Sequence, residues 1–449
     1  MTSRDSFWKK LTPLILPIAF QQLMSALVST SDTLMLGLVD QLSLSAASLA
    51  TQISFVAGLF VWGFTGAGSL LAAQYWGKGS REDVEQVFAL MLRPMVLMGG
   101  AFTLAALFVP DLLMRIFTPD TVLIDLGSDY LRTVAFSYVL LGISQSYLCI
   151  MRNSGRATMA TVISSTGVLI NIALNGILIF GLLGFPAMGI MGAALATTLT
   201  RVIEVIWVLA ETARPDRIKL RGYYLFGKCY LKADFWKQAV ILVANNLVWG
   251  VGITMGSVIL GRMGSDVVAA NSIAMTMKNL VNCFCLGLAN AAAILVGNEL
   301  GADHLDTAKL YGGKVVRLAI LSGVITAVFL ISMTPVISRV AELTPQSREY
   351  LKWMIVVCAC NLIGMSINSS IICGMFAAGG DTRFGVICDT ITLWVVVVPL
   401  GLLGAFVWNL PLWVVYIFIN MDEWVKMPAV FRHYRKYQWV RNLTREEIK

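Results

Sequence analysis

Charge is scarce in this chain. Asp, Glu, Lys and Arg make up only 13% of its residues, while 57% are hydrophobic. A soluble chain of 449 residues has no means of hiding that much apolar surface, so a water-soluble enzyme or scaffold is excluded. Histidine occurs twice, at His304 and His433, and both positions read as polar loops. The usual general base is therefore missing from the apolar segments, which argues against a membrane-embedded enzyme. The 8 cysteines include Cys283-Phe-Cys285 and Cys358-Ala-Cys360, but no CxxC and no zinc-site spacing. Cysteines set in apolar runs read as small packing residues. Gly77-Lys78-Gly79 has no GxxxxGK[ST] around it, so nucleotide-driven transport by this chain alone is not expected. No small-residue cleavage site follows the first apolar run, and no removable signal peptide is expected.

What the chain has is long apolar runs. A helix needs about 20 apolar residues to cross a bilayer. On that basis twelve segments are predicted, the first six near 11–38, 48–76, 88–110, 127–151, 158–183 and 186–210. The second six lie near 238–262, 267–298, 312–337, 349–377, 384–408 and 410–430. The expected fold is all-α: a polytopic membrane protein with twelve transmembrane helices. Basic residues gather in alternate loops: Lys9 and Lys10; Lys78 and Arg81; Arg152 and Arg156; Lys309 and Lys314; and Lys219 to Lys237, including Lys228. The opposite loops carry acids such as Asp40, Asp120, Asp266 and Glu342. The positive-inside rule then places both termini in the cytoplasm, with the chain in the plasma (inner) membrane. The net charge of +8 is thereby explained by topology, and no nucleic-acid partner is expected.

The two halves echo each other. Phe7-Trp8-Lys9 recurs as Phe235-Trp236-Lys237, and Ala19-Phe20-Gln21-Gln22-Leu23 lines up with Ala244-Asn245-Asn246-Leu247. Ala73-Gln74-Tyr75-Trp76-Gly77 has its counterpart at Val296-Gly297-Asn298-Glu299-Leu300-Gly301. The predicted organisation is a six-helix bundle over 1–210, a cytoplasmic linker over 211–237, a second six-helix bundle over 238–430 and a basic tail over 431–449. A parallel repeat of two bundles suits alternating access around a site between them.

Within this apolar frame a few polar residues stand out. Asp32 is an acid inside the first segment, where a charge costs at least ~2.5–3.5 kcal/mol on insertion scales. Pro17 lies in the same segment and is a candidate hinge, since proline removes a backbone donor and kinks a helix. Asn171 and Asn175 are four apart and share a helix face. Thr197 and Thr198 follow in the sixth segment. With one carboxylate, such neutral oxygens are hard ligands suited to Na⁺, or they hold the carboxyl where it trades a proton; interhelical hydrogen bonding is the competing role. Gln22, Asn246, Trp249 and Lys278 are candidates for lining a substrate cavity. Arg201 and Glu204 read as a structural pair. Asp389 lies shallow after Gly379-Gly380-Asp381-Thr382-Arg383, a turn with capping roles.

The chain resembles the multidrug and toxic compound extrusion (MATE) family over nearly its whole length. The resemblance is carried by Pro17…Asp32-Thr33…Gly37, Ala73-Gln74-Tyr75-Trp76-Gly77-Lys78-Gly79 and Asn171…Asn175-Gly176…Ile179-Phe180-Gly181. Gly192-Ala193-Ala194-Leu195-Ala196-Thr197 and Gly379-Gly380-Asp381-Thr382-Arg383 complete it. It implies a two-lobed exporter driven by Na⁺ or H⁺, with no other cofactor, that expels amphipathic or cationic organic compounds across the lipid bilayer. The matching ion-site positions are Asp32, Asn171, Asn175 and Thr197, with Asn175 standing where relatives have a second acid. Relatives that use second-lobe acids have them where this chain has Asn246 and about Ser366, so an ion site of that kind is not expected. A monomer is expected. A flippase for a lipid-linked precursor, on the same broad fold, is the alternative, and it calls for a cationic cavity where Lys278 is the main deep cation.

Overall fold

A computed structural model of the chain describes residues 3–227, 229–340 and 344–445. Lys228 and Glu342 of the loop-charge pattern, and the side chain of Thr33, lie outside what it describes. The described residues are helical with no strand. The first six long helices are α1 (Ser3–Gly37), α2 (Gln41–Gly77), α3 (Arg81–Phe108), α4 (Thr121–Asn153), α5 (Ala157–Phe180) and α6 (Gly189–Thr212). The next five are α7 (Lys232–Gly261), α8 (Ser265–Gly301), α9 (Leu305–Val340), α10 (Pro345–Phe376) and α11 (Thr382–Val407). Eleven of the described helices are long and apolar enough to span a membrane.

The twelfth element corrects the expectation of one run over 410–430. It is two helices, Leu412–Ile419 and Asp422–Tyr434, together α12. The chain leaves the helix at Asn420, whose carbonyl accepts a 2.7 Å hydrogen bond from Asn361 Nδ2 of α10. That side chain satisfies an acceptor the broken helix leaves open, and Asp422 and Glu423 then occupy the first turn of the new helix. His433 also departs from expectation, lying within this helix rather than in a loop. Its Nε2 is 2.5 Å from Asp381 Oδ2. Asp381, expected to cap α11, makes no side-chain cap.

Two compact units emerge. One comprises Met1–Leu23, Ala73–Gly79 and Ala244–Glu446; the other comprises Met24–Ala72, Ser80–Val243 and Glu447–Lys449. The division falls inside α1, α2 and α7.

The first unit, hereafter the C-unit, is stitched by glycine contacts between repeat-related segments. A Cβ on Gly77 would lie 2.0 Å from the Asn298 carbonyl oxygen, and one on Gly301 would lie 1.8 Å from that of Gln74. Only glycine allows such an approach, the small-residue packing typical of membrane helices. Gln74 is fully buried and satisfied by backbone: its Nε2 donates to Ala378 O at 2.6 Å, and its Oε1 accepts from Leu443 N at 2.7 Å. The basic tail is thereby packed against the unit, with Trp439 fully buried.

In the second unit, hereafter the N-unit, α3 and α4 cross closely: a Cβ on Gly99 would lie 2.8 Å from Tyr138 O, and one on Gly142 would lie 2.9 Å from Met95 O. Gly181, at φ 71°, ends α5 and turns the chain into α6, where Gly192 packs on the Leu178 backbone. The stretch 211–237 is held by ion pairs and a hydrogen bond: Arg221 reaches Glu85 at 2.7 Å, Arg217 pairs with Glu211, and the Tyr230 hydroxyl donates to Asp83 at 2.5 Å.

Candidate functional site

Asp32 sits in the N-unit portion of α1, half-buried, with its carboxylate turned to α5. Asn175 Nδ2 donates to Asp32 Oδ1 at 2.5 Å and also lies 3.3 Å from Asn171 Oδ1. The i,i+4 spacing on α5 stacks the two amides on one face, so a single Nδ2 bridges the carboxylate and the second amide. Asn175 is completely buried, and its own Oδ1 has no hydrogen-bond donor. Tyr130 of α4, also buried, lies within electrostatic range of the carboxylate.

These are hard oxygen ligands of the kind that suit Na⁺, and a proton on Asp32 meets the same geometry. Among the described residues no group of three His, Cys, Asp or Glu side chains converges as a metal site. The oxygens gathered here are those of one carboxylate and two amides.

The other named residues are placed as follows. Thr197 on α6 is half-buried, and no hydrogen bond joins it to Asp32, Asn171 or Asn175. Thr198 donates to Thr133 O at 3.1 Å and Ala194 O at 3.0 Å, an interhelical role. Pro17 lies in the C-unit part of α1, which stays helical through it. Gln22, Asn246, Trp249 and Lys278 are half-buried in the C-unit. An apolar pocket of about 290 Å³ in that unit is lined by Leu16, Ala19, Phe20, Leu23 and Phe284, and by none of those four. Ser366 is buried, donating to Ala319 O at 2.8 Å. Arg201 and Glu204 do pair, at 2.6 Å.

A second group of buried charges was not anticipated. Lys426 of α12 lies between Asp389 of α11 and Glu423 of α12, 3.0 Å from each. Lys426 is more deeply buried than Lys278, the expected deep cation. Its signal in the sequence was Glu423 and Lys426, charges three apart inside a segment read as membrane-spanning, where every ionisable group is a candidate for function.

Eleven membrane-length helices among the described residues and buried polar clusters within them define a polytopic α-helical membrane protein. The MatE family profile matches residues 17–177 and 241–403, so the chain belongs to that family. Among curated relatives, "Probable multidrug resistance protein NorM" of Bacillus cereus (strain ATCC 10987 / NRS 248) is 23% identical, covering 89% of each chain. "Uncharacterized transporter YisQ" of Bacillus subtilis (strain 168) is also 23% identical, covering 94% of this chain and 93% of the relative. Among solved structures, a MOP superfamily transporter from Pyrococcus furiosus aligns with a TM-score of 0.88 at 18% identity, covering 97% of this chain and 96% of the other. A structure described as MATE in the bent conformation gives 0.86 at 18% identity, with the same coverage. At that identity the likeness speaks to the fold.

Proposed function

We propose that this chain is a secondary antiporter of the plasma membrane that exports amphipathic or cationic organic compounds in exchange for Na⁺ or H⁺. Asp32 is the coupling carboxylate in this reading. The observation that carries it is the contact between Asp32 and Asn175: a carboxylate inside an apolar helix, held by a single amide, with the buried and unpartnered Asn175 oxygen beside it.

An ionised carboxylate at membrane depth is disfavoured unless solvated or paired. A proton or Na⁺ that enters and neutralises it removes that penalty, and the conformation in which Asp32 is buried gains stability. An ion drives a change of shape only through such a difference between two states. Asn171 and Asn175 position the carboxylate, Thr197 completes the ligand set in the ion-loaded state, and α1 bends near Pro17. Export then follows from two lobes rocking around a central site. Gln22, Asn246, Trp249 and Lys278 contribute to the cavity, the protein works as a monomer, and both termini are cytoplasmic.

The test is dye efflux from cells expressing Asp32→Asn. The expected outcome is loss of ethidium efflux with the variant still present in the membrane at the level of the parent. Unchanged efflux overturns the role given to Asp32.

A further inference from the structure

The C-unit contains a charge cluster that the coupling reading leaves unused. Asp389, Glu423 and Lys426 are 8%, 6% and 9% exposed. Lys426 Nζ donates to Asp389 Oδ1 at 3.0 Å and lies 3.0 Å from Glu423 Oε1. Two carboxylates thus share one ammonium. Among the described residues no other Lys or Arg pairs with either acid. The remaining groups facing the cluster do not help the balance. Asp422, next in the chain, adds a further acid and accepts from Asn361 Nδ2 at 3.0 Å. Cys373 of α10 and Cys388 of α11 are neutral thiols within range. His433 is engaged with Asp381.

Beside each carboxylate stands an amide with half of its capacity unmet. Asn368 of α10, 1% exposed, donates from Nδ2 to Glu423 Oε2 at 2.9 Å and to Glu423 O at 2.7 Å, yet its Oδ1 is buried with no donor. Asn245 of α7 donates to Asp389 Oδ2 at 3.3 Å, and its Oδ1 is likewise buried and unpartnered. A buried acceptor with no donor is costly, and a native fold rarely retains one. α10 widens into a π-helical turn just after Asn368, at Ser370–Phe376, and α11 does so just after Asp389, at Ile391–Val397; such turns are frequent at functional positions.

The excess negative charge and the orphaned acceptors call for the same ligand, one that is positive and donates hydrogen bonds. We infer that Asp389, Glu423 and Lys426, flanked by Asn368 and Asn245, form a proton-binding site in the C-unit that works separately from Asp32. One proton taken by the carboxylate pair leaves a single carboxylate opposite the ammonium, and the buried charge cancels. The acid O–H supplies a donor where none stands. Because two acids interact through one ammonium, the proton belongs to the pair rather than to either residue. Exchange of that proton adds a second titrating step to the transport cycle.

Infrared difference spectroscopy of the purified full-length protein tests this in an Asp32→Asn background, so that Asp32 contributes nothing to the signal. Acidification is confined to the range above that in which exposed carboxylates titrate, about pH 4. The expected result is a carbonyl band of a protonated carboxylic acid that rises on acidification. It is lost or at least halved on adding Glu423→Gln or Asp389→Asn, and retained at a shifted position on adding Glu423→Asp, which keeps the acid and serves if the amide variants do not fold. Absence of the band in the Asp32→Asn protein overturns the site, as does a band of unchanged size and position in all three added variants. Failure of Asp32 as the coupling residue leaves this readout untouched.

Discussion

The two polar clusters differ in how they balance charge. In the N-unit a half-buried Asp32 faces two amides and no cation. In the C-unit two acids and an ammonium are all at least nine-tenths buried. The first has no counter-charge among its partners; the second holds one cation for two acids. The framework around them, by contrast, is repeated. Gly63 of α2 would place a Cβ 2.7 Å from the Cα of Val243, and Gly287 of α8, its counterpart, would place one 2.7 Å from the Cα of Ala19. Close helix packing recurs between the halves, whereas the buried charges of these two clusters do not. Counted from the match of Gly77 with Gly301, the position corresponding to Asp32 is about Gly256, where a Cβ would lie 3.1 Å from Ile419 Cγ2. A side chain there would have to displace the Ile419 methyl by a few tenths of an ångström, and the second half carries its buried charges on other helices.

The largest effect that separates the clusters is expected at Lys426. Lys426→Met leaves two buried acids without their shared cation. Removing one partner of a buried ion pair costs about 3–5 kcal/mol, a large part of a typical folding free energy. The expected outcome is severe loss of folded protein in detergent, read by size-exclusion chromatography, with partial recovery when Glu423→Gln is added. Asp32→Asn, with no cation to strand, should leave the folded yield near that of the parent. Equal yields for Lys426→Met and Asp32→Asn would erase the distinction between the clusters.

Next comes Asn175. Its Nδ2 bond to a carboxylate belongs to the stronger class, about 1.5–3 kcal/mol for bonds to charged groups. Asn175→Ala should therefore lower efflux about tenfold or more while the protein remains folded. Asn175→Asp is more discriminating. It sets a second acid against Asp32, and like charges at that distance disfavour joint ionisation, so one of the pair holds its proton to higher pH. Efflux should then peak at a more alkaline pH than in the parent, which a pH series in proteoliposomes reads directly. A fall in the optimum would mean that Asn175 does not face Asp32 during transport.

The repeated framework gives a third, smaller effect. Gly301→Ala forces a methyl to within 1.8 Å of the Gln74 carbonyl oxygen unless the helices part. Overpacking of this kind typically costs about 1–3 kcal/mol. Gly176→Ala, beside the Asp32 cluster, meets nothing within 4 Å, and since Ala is the better helix former its thermal midpoint should equal or exceed the parent's. A similar midpoint for the two variants would mean that the close contact at the end of α2 relaxes without penalty.

How much of this could be read beforehand followed from the range of each interaction. The long helices announce themselves by apolar length, a local property, and Asp32 by being an acid within one. Asn171 and Asn175 were legible because i,i+4 spacing determines a shared face. The break in α12 was not, since it depends on Asn361, about sixty residues away in the chain and in a different helix. The same error hid Lys426: an apolar window over 410–430 absorbs Glu423 and Lys426 without asking what would neutralise them. Lys278 drew attention because its surroundings in the sequence are polar, yet depth of burial depends on helix rotation, which single-chain spacing leaves open.

Thr197 tests that last point and carries the smallest predicted effect. Adjacent residues on a helix point about 100° apart, so only one of Thr197 and Thr198 can face a given neighbour. Thr198 is turned to Thr133 of α4, and Thr197 makes no bond to the Asp32 cluster in this conformation. Removing a hydroxyl that is unbonded in one state has no effect on that state, so Thr197→Ala should leave the thermal midpoint unchanged. Any loss of efflux then reports an oxygen recruited only when the ion is bound. If Na⁺ is that ion, the loss should appear as a raised Na⁺ requirement with the maximal rate retained; if a proton is, efflux should stay close to that of the parent. A lowered midpoint would instead make Thr197 a packing residue, and the ligand set would shrink to Asp32, Asn171 and Asn175.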